Sequence, residues 1–251
     1  MSKRKGFTLI EVILFLAVTA MIFAGVTLGV QNSLNQQRFN DTTQNFYEFV
    51  RSWYAKVTNP QSSGDGTSNY VLVGKLIVFG QTYDLQGNSN QENKKTVYVY
   101  DALATNARND FDGTYVPNLS ITRKVDGKVL PYGVEEYHPR WGATIQNTSG
   151  GAFAGSILIF RNMATGIIST YVSDMVMEVN SEMANGKIFR VHGATQRNSF
   201  KTNEINFCVN DYDVGVTGSM PQQNIRILNN ARNASEVILV ETDSSENRCP
   251  R

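Results

Sequence analysis

The fold of this chain is decided by Lys3-Arg4-Lys5-Gly6-Phe7-Thr8-Leu9-Ile10-Glu11 together with residues 12–30, nineteen positions that carry no charge. Residues 7–30 would extend about 36 Å as an α-helix, which is enough to cross a hydrocarbon core of about 30 Å. Basic residues precede this run, and no Lys or Arg follows it until Arg38. The positive-inside bias therefore predicts a single-pass segment of the cytoplasmic membrane, with the N-terminus in the cytoplasm and the rest outside.

Glu11 is the one charged residue within that apolar stretch. An ionisable group at bilayer depth is costly, so it marks a functional site by default. A cleaved signal peptide is one alternative, with Val18-Thr19-Ala20 as its cleavage site, and a plain signal anchor is another. A signal peptide has an apolar core of about 7–15 residues. Here the apolar run continues past Ala20, and Glu11 lies inside the core. These features favour a retained membrane helix.

The stretch Lys5-Gly6-Phe7-Thr8-Leu9-Ile10-Glu11-Val12, followed by the apolar run, resembles the start of type IV prepilins and pseudopilins. The resemblance implies a basic leader with Lys3, Arg4 and Lys5, cleavage by a prepilin peptidase after Gly6, and N-methylation of Phe7. It also makes Glu11 the assembly residue. The implied partners are other pilin subunits and the assembly platform in the membrane, and the implied product is a cell-surface or periplasmic filament.

The Glu11 carboxylate has an expected partner in the amine of Phe7. The Phe7 amine and the Glu11 carboxylate lie one helical turn apart. In a bundle of staggered helices, Glu11 of one subunit would meet the Phe7 amine of its neighbour, so that each buried charge gains a partner. We therefore interpret Glu11 as a device that sets the register of subunit stacking.

The helix is predicted to continue beyond the membrane. Apolar residues recur at spacings of three and four, and Asn59-Pro60 ends the pattern; the recurring positions are Phe39, Phe46, Phe49, Val50, Trp53, Tyr54 and Val57. We expect one helix over residues 7–57 with a soft spot at Gly25 and Gly29. These glycines form a small-xxx-small pattern, which permits close helix contact, marks a point of unwinding, or has no special role.

Strand-like segments separated by turn signals follow the helix. The clearest hairpin is centred on Asp126-Gly127. Predicted strands cover residues 70–73, 76–79, 96–100, 119–125, 128–130, 156–160, 167–172, 175–179, 187–191, 205–209, 225–228 and 237–240, and the first two form either a hairpin or one bulged strand. The expected fold class is α+β and pilin-like: a long N-terminal helix packed on an antiparallel sheet, with an enlarged C-terminal β-rich region.

These predictions divide the chain into a leader at residues 1–6, the membrane half of the helix at 7–30, its amphipathic half at 31–58, a linker at 59–69 and an exported domain at 70–251. Cys208 and Cys249 both fall in the exported part, where an even cysteine count favours a disulfide. The net charge of +1 gives no reason to expect a nucleic-acid partner.

Residues with catalytic or metal-binding potential are sparse. His138 and His192 have no companion at metal-ligand spacing, and residues 135–138 are predicted to be a polar surface loop. Asp110 and Asp112 are weak calcium candidates, because the other ligands of a calcium loop are missing. We therefore expect no enzyme activity and no cofactor.

The functional prediction is a minor pilin or pseudopilin. The long exported domain favours a minor subunit, and the sequence does not separate a pilus from a competence or type II secretion pseudopilus. The alternative is a membrane-anchored extracytoplasmic enzyme or sensor whose prepilin-like start is a coincidence.

Overall fold

One helix dominates the computed structural model, which describes residues 8–59, 70–81, 95–105, 119–120, 122–125, 128–149, 151–162, 165–174, 176, 201–210, 223–241 and 249. Helix α1 spans Leu9–Thr58, 50 residues, or about 75 Å. It passes through Gly25 and Gly29 without interruption, so the expected soft spot is not a break in this structure. Apart from Asn59, the predicted linker lies outside the described residues.

The helix has two halves with different surroundings. In the exposed half, residues 9–37, only Asn35 is half-buried. In the docked half, residues 39–58, the predicted stripe faces the domain, and Phe49 is its one position that is only half-buried. The buried positions of the docked half are Phe39, Thr42, Thr43, Phe46, Val50, Trp53, Tyr54 and Val57.

The strands in the described part of the chain form two antiparallel sheets and a separate hairpin, where one sheet was expected from the sequence. The first sheet contains β1 Tyr70–Phe79, β2 Val97–Thr105, β3 Leu119–Ser120, β6 Val134–Tyr137, β8 Gly155–Arg161 and β9 Ile168–Ser173. Its strand order is β3-β2-β1-β8-β9, and β6 pairs with β2 on the same edge as β3. The second sheet has the order β12-β11-β10-β7, and the hairpin pairs β4 with β5. Their members are β7 Thr144–Gln146, β10 Ile205–Asn210, β11 Gln223–Ile227, β12 Val237–Glu241, β4 Thr122–Val125 and β5 Lys128–Pro131.

The docked half of α1 shares one core with both sheets. Trp53 of the helix lies in the same apolar cluster as Ile77 and Ile157 of the first sheet and Phe207 and Ile225 of the second. A second apolar cluster includes Leu76, the neighbour of Ile77 in β1, so it lies on the other face of the first sheet. The α+β plan is therefore confirmed, with the helix joined to both sheets.

Strand β1 settles one open alternative. Residues 70–79 form a single strand whose register shifts between Leu72 and Gly74, so the bulged strand is correct and the hairpin is not. A Cβ atom on Gly74 would lie 2.3 Å from the Ile159 carbonyl oxygen, so the close approach of β8 at this point requires glycine.

The prediction of a surface loop at residues 135–138 is wrong. Val134–Tyr137 is strand β6, which pairs with β2. Tyr137 is only 9% exposed and stacks on Phe49 with ring centroids 4.2 Å apart. Two adjacent glutamates interrupt the alternation of apolar and polar residues that indicates a strand. The charge of Glu135 is compensated by Lys56 and Lys75, which lie far away in sequence.

Smaller differences concern strand boundaries. The predicted strand over 119–125 is divided between β3 in the first sheet and β4 in the hairpin, and β7 was not predicted. The expected hairpin is present as β4 and β5, although Asp126-Gly127 lies outside the described residues. The predicted strand at 187–191 and most of that at 175–179 also lie outside them.

Candidate functional site

The Glu11 carboxylate has partners within its own chain. Thr8 is the N-cap of α1, and its backbone N–H donates to Glu11 Oε2 at 2.8 Å. The Thr8 hydroxyl donates to the same oxygen at 3.0 Å and accepts from the Glu11 backbone N–H at 3.4 Å. This reciprocal arrangement is a capping box, which satisfies donors that a helix start leaves open.

Only one oxygen of the carboxylate is used in this cap. Among the described residues, both bonds that the carboxylate accepts go to Oε2, so the cap itself leaves the lone pairs of Oε1 to a further donor. The arrangement can therefore hold Glu11 in place and still present an acceptor to a second molecule. The cap was not predicted, although Thr8-Leu9-Ile10-Glu11 before an apolar run is the usual sequence pattern of a capping box.

The exposed half of α1 is long and apolar enough to cross a membrane, and its most apolar window is 0% buried within the chain. Its two threonines bond to the helix itself. Thr19 donates to the carbonyl oxygen of Phe15 at 2.9 Å, and Thr27 donates to that of Phe23 at 2.7 Å. Since these hydroxyls are satisfied internally, Glu11 is the one charged group that a lipid environment would have to accommodate.

Gly25 and Gly29 are not required by packing inside the subunit. A Cβ atom built on either glycine meets no atom of the described residues within 4 Å. Both lie in regular helix, where glycine is less favourable than alanine by about 1 kcal/mol. Any benefit that they bring must therefore come from contacts outside the chain or from flexibility.

The residues of the predicted cleavage site are adjacent to this cap but outside the described residues. This applies to Gly6 and Phe7, and also to the basic residues Lys3, Arg4 and Lys5. The calcium candidates Asp110 and Asp112 are likewise outside the described part. Cleavage, methylation and calcium binding stay predictions.

The predicted disulfide is present. Cys208 in β10 is bonded to Cys249, with Cα atoms 5.5 Å apart and a sequence separation of 41. Cys249 is buried, and its sulfur lies 3.8 Å from the carbonyl oxygen of Gln223 in β11. The bond therefore fixes the C-terminal part of the chain to the middle of the second sheet.

A charged cluster joins the end of α1 to the first sheet. Lys75 of β1 is 6% exposed, and its Nζ lies 2.5 Å from Asp101 Oδ1 and 3.2 Å from Glu135 Oε1. The other oxygen of Glu135 contacts Lys56 in the last turn of the helix. Burial disfavours ionisation of Glu135, but the hydrogen bonds and charges of Lys56 and Lys75 outweigh it and lower the pKa of this carboxyl.

The C-terminal end of the helix is capped from the sheet as well. Arg161 at the end of β8 donates from Nη1 to the Thr58 carbonyl oxygen at 2.8 Å. A cation at this end also compensates the helix dipole. Together with the charged cluster, this contact fixes the angle between α1 and the first sheet.

Comparison with known protein families identifies the N-terminus. Residues 1–27 match the family model of the prokaryotic N-terminal methylation motif, which is the prepilin motif of type IV pilins and pseudopilins. No curated protein and no solved structure matched the chain. The motif is that of a processed type IV pilin-like subunit, and it stands on an α+β, pilin-like framework with a membrane-capable helix.

Proposed function

We propose that this protein is a minor pilin or pseudopilin that is cut between Gly6 and Phe7, methylated on Phe7 and assembled into a filament through α1. The observation that carries the proposal is a capped glutamate at the start of a helix whose first half is apolar and exposed and whose second half is locked into a folded domain.

The first step is insertion and processing. Lys3, Arg4 and Lys5 keep the N-terminus in the cytoplasm, α1 crosses the membrane once, and residues 70–251 lie outside. A prepilin peptidase then cuts after Gly6. The cut creates a positively charged amine on Phe7, one helical turn from Glu11.

The second step is assembly, with the membrane platform and other pilin subunits as partners. In a bundle of staggered helices, the Phe7 amine of one subunit approaches Glu11 of the next and binds the oxygen that the cap does not use. A charged hydrogen bond in an apolar bundle is strong when it is formed and costly when one partner is missing. The pair therefore favours one stagger over others.

The third element is the mechanical connection between helix and domain. The docked half of α1 contributes core residues to both sheets, and Lys56, Lys75, Glu135 and Arg161 fix its end. A displacement of the exposed half within a filament is therefore passed to the whole domain. Under this proposal the domain acts by being positioned, and it performs no reaction.

The mature N-terminus tests this proposal against the alternative of a membrane-anchored enzyme or sensor. We expect mass spectrometry of the membrane-extracted protein to show loss of residues 1–6 and one methyl group on the amine of Phe7. An intact leader, or cleavage after Ala20, would contradict the proposal. Mass spectrometry of purified surface filaments then shows whether the subunit is abundant, rare or absent, which separates a pilus role from the pseudopilus roles.

A further inference from the structure

We infer that Arg38, Arg140 and Trp141 form a contact surface for phospholipid headgroups, which holds the exported domain against the membrane before the subunit enters a filament. This inference rests on the proposed membrane insertion of α1. It concerns the domain, however, and gives a function to a surface that processing and assembly do not use.

The surface is built around an exposed aromatic ring. Trp141 is 53% exposed, whereas Trp53, the other tryptophan of the chain, is fully buried. The guanidinium carbon of Arg38 lies 4.9 Å from the centre of the Trp141 ring. Arg140 immediately precedes the tryptophan and is exposed as well. The Trp141 indole and Arg140 are thus exposed, and the half-buried Arg38 lies against the indole ring.

The backbone holds the ring in this position at a cost. Trp141 has a φ of 58°, in the left-handed region, which is an outlier for a bulky residue. The Arg140 carbonyl oxygen accepts from the Ala143 N–H at 3.1 Å and lies 3.5 Å from the Thr42 hydroxyl, which also donates to the Arg38 carbonyl oxygen at 2.9 Å. Since Thr42 and Arg38 belong to α1, the turn lies against the helix at this level, and this contact sets the position of Trp141 along the helix.

This position along α1 places the surface next to the bilayer. Arg38 directly precedes Phe39, the first buried residue of α1, and follows Val30 by eight positions, about 12 Å of helix. A headgroup layer extends about 5–8 Å beyond the hydrocarbon core. Side chains of a helix lean toward its N-terminus, so Arg38 leans toward the membrane and its length covers the remaining gap.

The chemistry of the surface suits phospholipid. Tryptophan is enriched at membrane interfaces, and arginine binds phosphate through paired hydrogen bonds. Within the described residues, neither Arg38 nor Arg140 forms an ion pair, and Asp41, one turn further along the helix, forms none with Arg38. The two guanidinium charges are therefore available to an anionic group.

The opposite end of the domain provides an internal comparison. Outside α1, Ile167 is the other large hydrophobic residue that the described part of the chain exposes. It lies in the turn after Arg161, which binds the Thr58 carbonyl oxygen, about 30 Å along the helix from Arg38. Ile167 lies far from the membrane, so we expect no lipid contact there.

Fluorescence of the full-length protein in vesicles tests the inference directly, because the chain has two tryptophans and one is buried. The vesicles contain phosphatidylcholine with or without phosphatidylglycerol, and a matched set carries bromine near the top of the acyl chains. We expect the brominated lipid to quench the wild type but not W141F, whose remaining Trp53 is out of reach. The R38Q/R140Q variant should show weaker quenching in phosphatidylglycerol vesicles, and I167S should behave as the wild type.

Three outcomes would contradict the inference, each for a different physical reason. Equal emission of inserted wild type in brominated and ordinary vesicles would show that Trp141 does not reach the lipid. Quenching that requires a high density of protein in the membrane would show that Trp141 contacts a second copy of the chain instead. Failure of the protein to float with the vesicles would contradict the proposed insertion itself, and this inference with it.

Discussion

The exposed and docked halves of α1 belong to one uninterrupted helix, yet they satisfy their apolar side chains in different ways. The docked half buries its stripe against both sheets, with Trp53 and Val50 fully covered. Residues 12–30 of the exposed half are uncharged and apolar on nearly every side, and the exposed half contributes no buried residue. A helix that is apolar on every side needs lipid or other helices as its surroundings.

The comparison teaches that folding and assembly reside in separate parts of the same element. The docked half determines whether the domain folds, whereas the exposed half determines what the folded subunit joins. Substitutions in the docked half should therefore change the free energy of unfolding, and substitutions in the exposed half should change incorporation into filaments at nearly constant stability.

The largest effect is expected from W53A in the docked half. Removing a fully buried tryptophan from a core shared by two sheets should lower the free energy of unfolding by about 3–5 kcal/mol. Urea unfolding of the protein in detergent, followed by near-ultraviolet circular dichroism, measures the change. W141A is the matched control and should stay within about 0.5 kcal/mol of the wild type, since its side chain is exposed. Equal losses in the two variants would contradict the assignment of the core.

A smaller effect is expected at the charged cluster where the docked half ends. The pKa of Glu135 is lowered in the folded protein, so the unfolded chain binds a proton more readily, and the cluster's stabilisation is lost as the pH falls below the ordinary glutamate pKa of about 4.3. E135Q should lower stability at neutral pH by about 1 kcal/mol and flatten the loss of stability in acid.

Unfolding of E135Q as a function of pH checks this prediction. E136Q is the control, because adjacent strand residues point to opposite faces and Glu136 lies 3.6 Å from His138, away from Lys75. If the free energy of unfolding of E135Q fell in acid as steeply as that of the wild type, the contacts with Lys56 and Lys75 would not be what stabilises ionised Glu135.

The smallest loss of subunit stability is expected from G25A/G29A in the exposed half. Neither methyl group would meet an atom of the same chain, and alanine favours helix by about 0.5–1 kcal/mol per site. We therefore expect equal or higher helix content by circular dichroism, together with lower incorporation into filaments if a neighbouring helix packs at these glycines. A20S adds one heavy atom to the opposite side of the helix and should assemble normally. Normal assembly of G25A/G29A would mean that the glycines have no special role in packing.

The sequence predicted the parts of this structure that local patterns encode. Apolar residues spaced three and four apart predicted the docked half of α1. Alternation of apolar and polar residues predicted most strands of both sheets. Division into two sheets was not predictable, because pairings such as Cys208 with Gln146 depend on contacts between distant residues. The same reason explains the error at Glu135, whose burial depends on Lys75, sixty positions earlier.

The candidate site was predicted in part. The position of Glu11 and its contrast with the surrounding apolar residues are local features, so they were apparent from the sequence. The cap by Thr8 was also encoded locally and was missed, because the acid was interpreted through its neighbour in a filament alone. The cap adds to that interpretation, since the carboxylate is already held in place by its own chain.

The central claim is that the charge of Glu11, and not its role in the cap, selects subunits for the filament. E11Q and T8A separate these roles, because glutamine at this position also forms a capping box, whereas T8A removes both hydrogen bonds of the Thr8 hydroxyl and keeps the charge. Both variants are first checked for membrane insertion and for a mature N-terminus at Phe7. The decisive measurement is the ratio of filament-borne to membrane-borne subunit for each variant, by quantitative mass spectrometry. The account predicts that E11Q stays in the membrane while T8A enters filaments, and E11Q in filaments at the wild-type ratio would contradict it.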